Sequence, residues 1–204
     1  MEQQEVLIII TNDSTIKEVI DTWYSNNLSS YTKYISTEAV YCNDREIGSG
    51  TYNTGSTAFY YAAFSRLDPS TMTPTYNCTK SYDAFSGSNS EAKLTYPIGL
   101  MTADEIAYAG GKVYTKNPNA WYYLNSAGGS ITGSTHWWSL SPRSWDDNTS
   151  GVWIGVGSST PGNIGGNPVN TSNGVRPAIS IKSCALWSSG NGSSSSPYEI
   201  NGGC

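Results

Sequence analysis

From residue 112 onward the chain consists of short aromatic and β-branched runs separated by Gly, Pro, Asn and Ser. Runs of that length bounded by turn residues make strands, and the segments between them are too short and too polar for crossover helices. The candidate strands are Ala120 to Leu124, His136 to Leu140, Val152 to Val156, Val175 to Ile181 and Tyr198 to Ile200. Without crossovers they must join as antiparallel hairpins.

The earlier part of the chain carries the helical signals. Ile16, Val19, Ile20 and Trp23 follow an i, i+3, i+4, i+7 pattern within 14–28, and Thr15 with Glu18 has capping-box spacing, so Trp23 is expected on the core. A second helix is predicted from Thr102, with Glu105 completing a capping box and Gly110-Gly111 supplying the left-handed exit. Residues 47–90 read as irregular loop with short strands. The sequence therefore predicts one α+β domain over 1–204, with a helical and loop-rich part (1–90) and a core with display loops (91–204). There is no internal repeat, and the serine run at 190–196 reads as a turn.

Only 13% of residues are charged, and Gly, Ser, Thr, Asn and Tyr make about half of the chain. That composition excludes a coiled coil or a charge-rich disordered tail. A net charge of -5 without a basic run excludes nucleic acid as a partner. The longest strongly apolar run, Val6 to Ile10, is too short to span or insert into a membrane. No signal peptide follows Met1, so Met1 reads as an added start with the natural chain beginning upstream. The four cysteines, Cys42, Cys78, Cys184 and Cys204, allow three disulfide pairings. Sequence order favours Cys42 with Cys78 and Cys184 with Cys204, each closing a loop-rich segment, and places the protein outside the cell or on its surface; four free buried thiols in a cytosolic protein are the alternative. No CxxC pair supports zinc or thioredoxin-type chemistry.

Catalytic constellations are sparse. His136 is the single histidine, which excludes HExxH and three-histidine metal centres. A triad of His136, a serine and Asp146 is conceivable, but no GxSxG elbow accompanies it. The adjacent Asp146 and Asp147 would point to opposite sides of a strand, and an acid/base pair across a sugar would have to recruit Asp104, Glu105 or residues of the first half. No GxGxxG or GxxxxGK[ST] pattern is present, so no nucleotide cofactor is implied.

The distinctive feature is aromatic placement. Six of the seven tryptophans (Trp121, Trp137, Trp138, Trp145, Trp153 and Trp187) lie between 121 and 187 among Ser, Thr, Asn, Asp and Gly. Strand alternation would send one ring of the Trp137-Trp138 pair to the core and the other outward. Exposed Trp beside small polar groups is the chemistry of binding surfaces, and Trp145 and Trp153 are the best candidates for exposed rings. The competing reading is that the rings fill a core poor in Leu and Phe.

Thr95 to Gly111 (TYPIGLMTADEIAYAGG), Trp137 to Pro142 (WWSLSP) and Gly174 to Ala178 (GVRPA) give a specific resemblance, joined by Asp21 to Tyr24, Cys42 to Arg45 and Gly190 to Ile200. Together they resemble bacterial surface domains of the C-type lectin-like branch, which also holds formylglycine-generating enzymes and the variable proteins of diversity-generating retroelements. The resemblance implies a C-type lectin-like fold with two helices and a small antiparallel sheet. It implies that Arg176 is structural with Trp138 packed beneath it, and that Ser139 to Asn173 is a ligand-display stretch. The paired catalytic cysteines of the formylglycine-generating enzymes have no counterpart between 79 and 183, and the iron-binding histidines of related enzymes are missing. Calcium-binding strings are only approximated, by Asn117 to Asn119 and Trp145 to Asn148, so no cofactor is called for apart from a possible calcium ion.

The expectation is a non-enzymatic adhesin-like or receptor-like module that binds a protein or glycan through 137–173. Its ligand-binding candidates are Trp137, Ser139, Ser141, Arg143, Trp145, Asp146, Asp147, Asn148, Trp153, Asn163 and Asn167. The alternative is a structural tip or scaffold domain of a stalked or pilus-like protein. An enzymatic reading would require a cleft holding His136 with Asp146 or Asp104.

Overall fold

A computed structural model describes residues 14–53, 57–115, 136–146, 149–156, 162–193 and 195–204. In chain order its elements are α1 (Thr15–Asn27), β1 (Tyr41–Cys42), β2 (Ile47–Ser49), β3 (Phe59–Tyr61), α2 (Ala62–Arg66), β4 (Ala84–Phe85), β5 (Gly99–Leu100), α3 (Ala103–Tyr108) and β6 (Lys112–Val113). There follow β7 (His136–Asp146), β8 (Thr149–Val156), β9 (Asn163–Pro168), β10 (Pro177–Ala178), β11 (Trp187–Ser189) and β12 (Glu199–Ile200). Six strands form one sheet in the order β2-β3-β7-β8-β9-β6, curled into a half-barrel. All its pairs are antiparallel except β6 with β9. Three two-stranded sheets, β1-β4, β5-β10 and β11-β12, lie outside it.

This architecture corrects the predicted fold. The domain is mostly β with three short α-helices among the described residues, and it is not the two-helix α+β C-type lectin-like fold expected from the motifs. The physical reason lies in residues 47–90. Read as loop, they supply β2, β3 and the five-residue α2, too short for periodicity to register, and these extend the sheet on the β7 side. The largest sheet therefore draws strands from both predicted parts of the chain.

Covering the sheet on both faces settles the tryptophans. One core joins Trp137, Trp153, Val113 and Ile164 to Ala63, Leu67, Ala103 and Ile106 of the α2 and α3 region. The other joins Trp138 and Ile154 to Ile20, Tyr24, Ile35, Ile98 and Leu100. Trp137 and Trp138 do alternate, but into two cores, so neither ring points to solvent. A Cβ on Gly155 would lie 2.3 Å from the Trp137 ring, so only glycine on β8 admits that indole.

Helix α1 forms where expected but turns a different face inward. Its N-cap is Ser14, whose hydroxyl accepts from the Lys17 amide at 3.2 Å, rather than Thr15. Ile20 and Tyr24 are buried, whereas Val19 is exposed and Trp23 is 44% exposed. The i, i+4 line through 16, 20 and 24 packs on the sheet, which leaves Trp23 about 100° away. Helix α3 keeps its predicted cap: Thr102 Oγ1 accepts from Glu105 N, Glu105 reaches back to Thr102 N, and the chain leaves through Gly110 at φ 101°. Of the other predicted strands, Val175 to Ile181 contracts to β10, Tyr198 to Ile200 to β12, and Ala120 to Leu124 lies outside the described residues.

Both favoured disulfides are present, Cys42 with Cys78 and Cys184 with Cys204, which points to an oxidising compartment. No helix among the described residues is long and apolar enough to cross a membrane.

Candidate functional site

The predicted ligand-binding residues divide by strand alternation and burial. Ser139 and Ser141 are buried and already bonded: Ser139 Oγ donates to Trp153 O at 2.7 Å, and Ser141 Oγ accepts from Ala103 N at 2.9 Å, tying α3 to β7. Trp137 and Trp153 are core residues, so the expected exposure of Trp153 is corrected to 0%. Trp145 is half-buried, opposite Phe59 and Ser150, and Asp146 is exposed at the end of β7. Asp147, Asn148 and Trp121 lie outside the described residues. Asn163 is placed opposite Lys112, and Asn167 Nδ2 donates to Asn173 Oδ1 at 3.2 Å. Arg176 is buried, but the ring beneath it is Trp137, 4.9 Å from the guanidinium carbon, rather than Trp138.

Of the predicted residues that are not buried, Arg143 is held by the most specific set of contacts. Arg143 crosses β9 at Gly166, where an added Cβ would meet its Cδ at 2.3 Å and its Nε at 2.7 Å. Its guanidinium carbon lies 5.0 Å from the Phe64 ring and 5.5 Å from the Trp153 ring, so two aromatic faces carry the charge. Nε and Nη2 both donate to the Tyr114 hydroxyl, at 3.2 and 2.7 Å, while Nη1 donates to Ser144 Oγ at 2.9 Å. No ion pair joins Arg143 to a carboxylate among the described residues. Tyr114 is 56% exposed and has φ 51°, a left-handed conformation that costs a non-glycine residue about 1 kcal/mol or more. The Tyr114 amide, bonded to Ile164 O at 3.1 Å, fixes that conformation and brings the phenol to Arg143.

Sequence reasoning found Arg143 and Trp153 but missed Tyr114, Phe64 and the Tyr60 ring stacked on Phe64 at 4.3 Å. The aromatic density of 59–64 (FYYAAF) was the available signal for Phe64 and Tyr60, whereas nothing local marks Tyr114. The pairing of His136 with Asp146 fails on distance. His136 and Asp146 occupy the two ends of an 11-residue strand, about 30 Å apart at the rise of extended chain.

A cleft of about 150 Å³ lies elsewhere, lined by Asp44, Arg66, Tyr76, Asn77, Asp104 and Glu105 among others. Its charges are mutually engaged. Arg66 donates to both oxygens of buried Asp104 at 3.1 and 3.0 Å and to Asp44 Oδ2 at 2.5 Å, and Asp104 also accepts from Thr75 N. Burial pushes the Asp44 carboxyl above its ordinary 3.8, against the pull of Arg66. A carboxyl raised on folding contributes stability that is full below 3.8 and is lost as pH climbs through the folded value. Asp44→Asn should therefore gain on the wild type between pH 3.5 and 7 in urea unfolding, and a stability difference that is flat over this range would refute the assignment.

Comparison with known proteins gives one family: residues 5–183 match a domain of unknown function (DUF6273). Neither curated proteins nor solved structures match the chain.

Proposed function

We propose, for a chain that belongs to the DUF6273 family, a non-enzymatic binding module, secreted or displayed on a cell surface, that recognises a protein or glycan through the rim formed by β7, β8 and β9. The observation that carries this reading is Arg143, a cation laid across Gly166, resting beside the stacked Phe64 and Trp153 rings and pinned by a strained tyrosine. Backbone strain that holds a part-exposed cation with no carboxylate partner among the described residues points to a ligand as its counterpart. Burial of Trp137, Trp138 and Trp153 favours the scaffold alternative; Trp187, 65% exposed, runs against it.

A glycan and surface-protein screen of the oxidised domain, with calcium and with chelator, tests the reading. Arg143→Ala should weaken capture of whatever ligand is found by at least tenfold, since a charged hydrogen-bonding group contributes roughly 1.5–3 kcal/mol. Capture that is indifferent to Arg143 would move the site elsewhere. Calcium-dependent capture would move it to Asp146 and Asp147.

A further inference from the structure

We infer that the Arg143 site takes a carboxylate borne by an acidic saccharide, an inference that rests on the ligand-binding reading above. A guanidinium has five N–H groups. Tyr114 and Ser144 accept from three of those of Arg143, leaving one on each terminal nitrogen. Because the Tyr114 hydroxyl accepts twice, its own hydrogen is left to donate. The remaining valences of Arg143 and the Tyr114 hydroxyl are therefore all donors around one positive charge. Their complement is a group with only acceptors and a single negative charge, which is a carboxylate met by a planar fork. A dianionic phosphate would find one cation among the described residues of the site, in a chain of net charge -5, and stay half-neutralised.

The surroundings select the carrier of that carboxylate. An acidic peptide presents several negative charges close together, which this acidic chain repels. An acidic sugar presents one charge per ring with hydroxyls and an apolar C–H face around it. The exposed Tyr114 ring and the Tyr60–Phe64 stack supply flat apolar area for that face.

The test follows the Arg143 Nε–H resonance in the oxidised full chain by ¹H–¹⁵N NMR. It is titrated with oligosaccharides of glucuronate, of galacturonate and of N-acetylneuraminate, with their methyl esters, and with hexaglutamate. At least one acidic sugar should shift the resonance and bind at least tenfold more tightly than its ester. Arg143→Lys, which keeps the charge but loses the fork, should weaken that binding by a similar factor with an unchanged unfolding midpoint, and Tyr114→Phe should weaken it too. No shift with any acidic sugar, equal binding of ester and acid, or tighter binding of hexaglutamate overturns the inference. A ligand from the screen that depends on Arg143 but carries no carboxylate overturns it while leaving the binding module in place. A ligand indifferent to Arg143 overturns both.

Discussion

Trp153→Ala is expected to destabilise the domain by about 3–5 kcal/mol, as full truncation of a buried aromatic does. The indole is 0% exposed on β8, a central strand with hydrogen-bonded neighbours on both edges. Its ring is stacked 6.0 Å from Phe64 and lies 6.2 Å from Tyr114, in the core that also holds Trp137, Ile106 and Ile164. Because these groups are anchored on β6, β7, β9, α2 and α3, they have little freedom to collapse into the vacated space, which puts the loss in the upper range for such changes. Urea unfolding checks it, with Trp187→Ala as a control on an exposed ring that should change stability by about 0.5 kcal/mol or less. A loss under about 1 kcal/mol for Trp153→Ala would show that the sheet face does not pack as described. The same variant removes one wall from Arg143, so ligand capture should fall even at temperatures where the variant is folded.

Removing the Cys42–Cys78 bridge by a double alanine substitution should lower stability by about 4 kcal/mol in the chain-entropy account, given its sequence separation of 36. Among the described residues the segment it closes contains β2, β3, α2 and loop, with few backbone ladders of its own to hold it once the bridge is gone. Removing Cys184–Cys204, with a separation of 20, should lower stability by about 3 kcal/mol. Against a typical total of roughly 5–15 kcal/mol, reduction of both would bring the domain near its unfolding threshold at ambient temperature. Unfolding curves with and without reductant, beside the two double-alanine variants, provide the check. A midpoint that ignores reductant would show that the bridges are dispensable, and would withdraw their support for an oxidising compartment.

The parts of the fold legible in the residues are those governed by local chemistry. The cap of α3 was legible because Thr102 and Glu105 satisfy orphan backbone groups within one turn. The cores of β7 and β8 were legible because β-branched and aromatic runs stand between turn residues, and the bridges because an even set of cysteines fell in an order that suggests neighbours. Helix α1 was legible in extent but not in rotation. Val19 and Trp23 are as apolar as Ile20 and Tyr24, and only the surface it packs on chooses between the two lines.

The candidate site was legible only in part, for the same reason. Arg143 and Trp153 stand out in a run of small polar residues, but their roles depend on which face of the sheet is covered. A two-layer domain would have left one of Trp137 and Trp138, and one of Trp153 and Ile154, in solvent; packing on both sides buries all four. The partners of Arg143 come from α2, from β9 and from the residue after β6, at sequence distances of 79, 23 and 29. Contacts so distant leave no trace in local spacing.

What the sequence by itself determined is the chain's acidic and weakly charged character, its short strands, the α3 cap and the favoured pairing of its cysteines. Each follows from composition or from residues near one another along the chain. What only the tertiary structure decided is the mostly-β half-barrel in place of the expected two-helix fold, the double burial of the tryptophans, and the joining of Phe64, Tyr114, Arg143 and Gly166 into one site. These depend on strand order and on which surfaces cover the sheet, and strand order is set by the summed burial of two cores rather than by any single local preference.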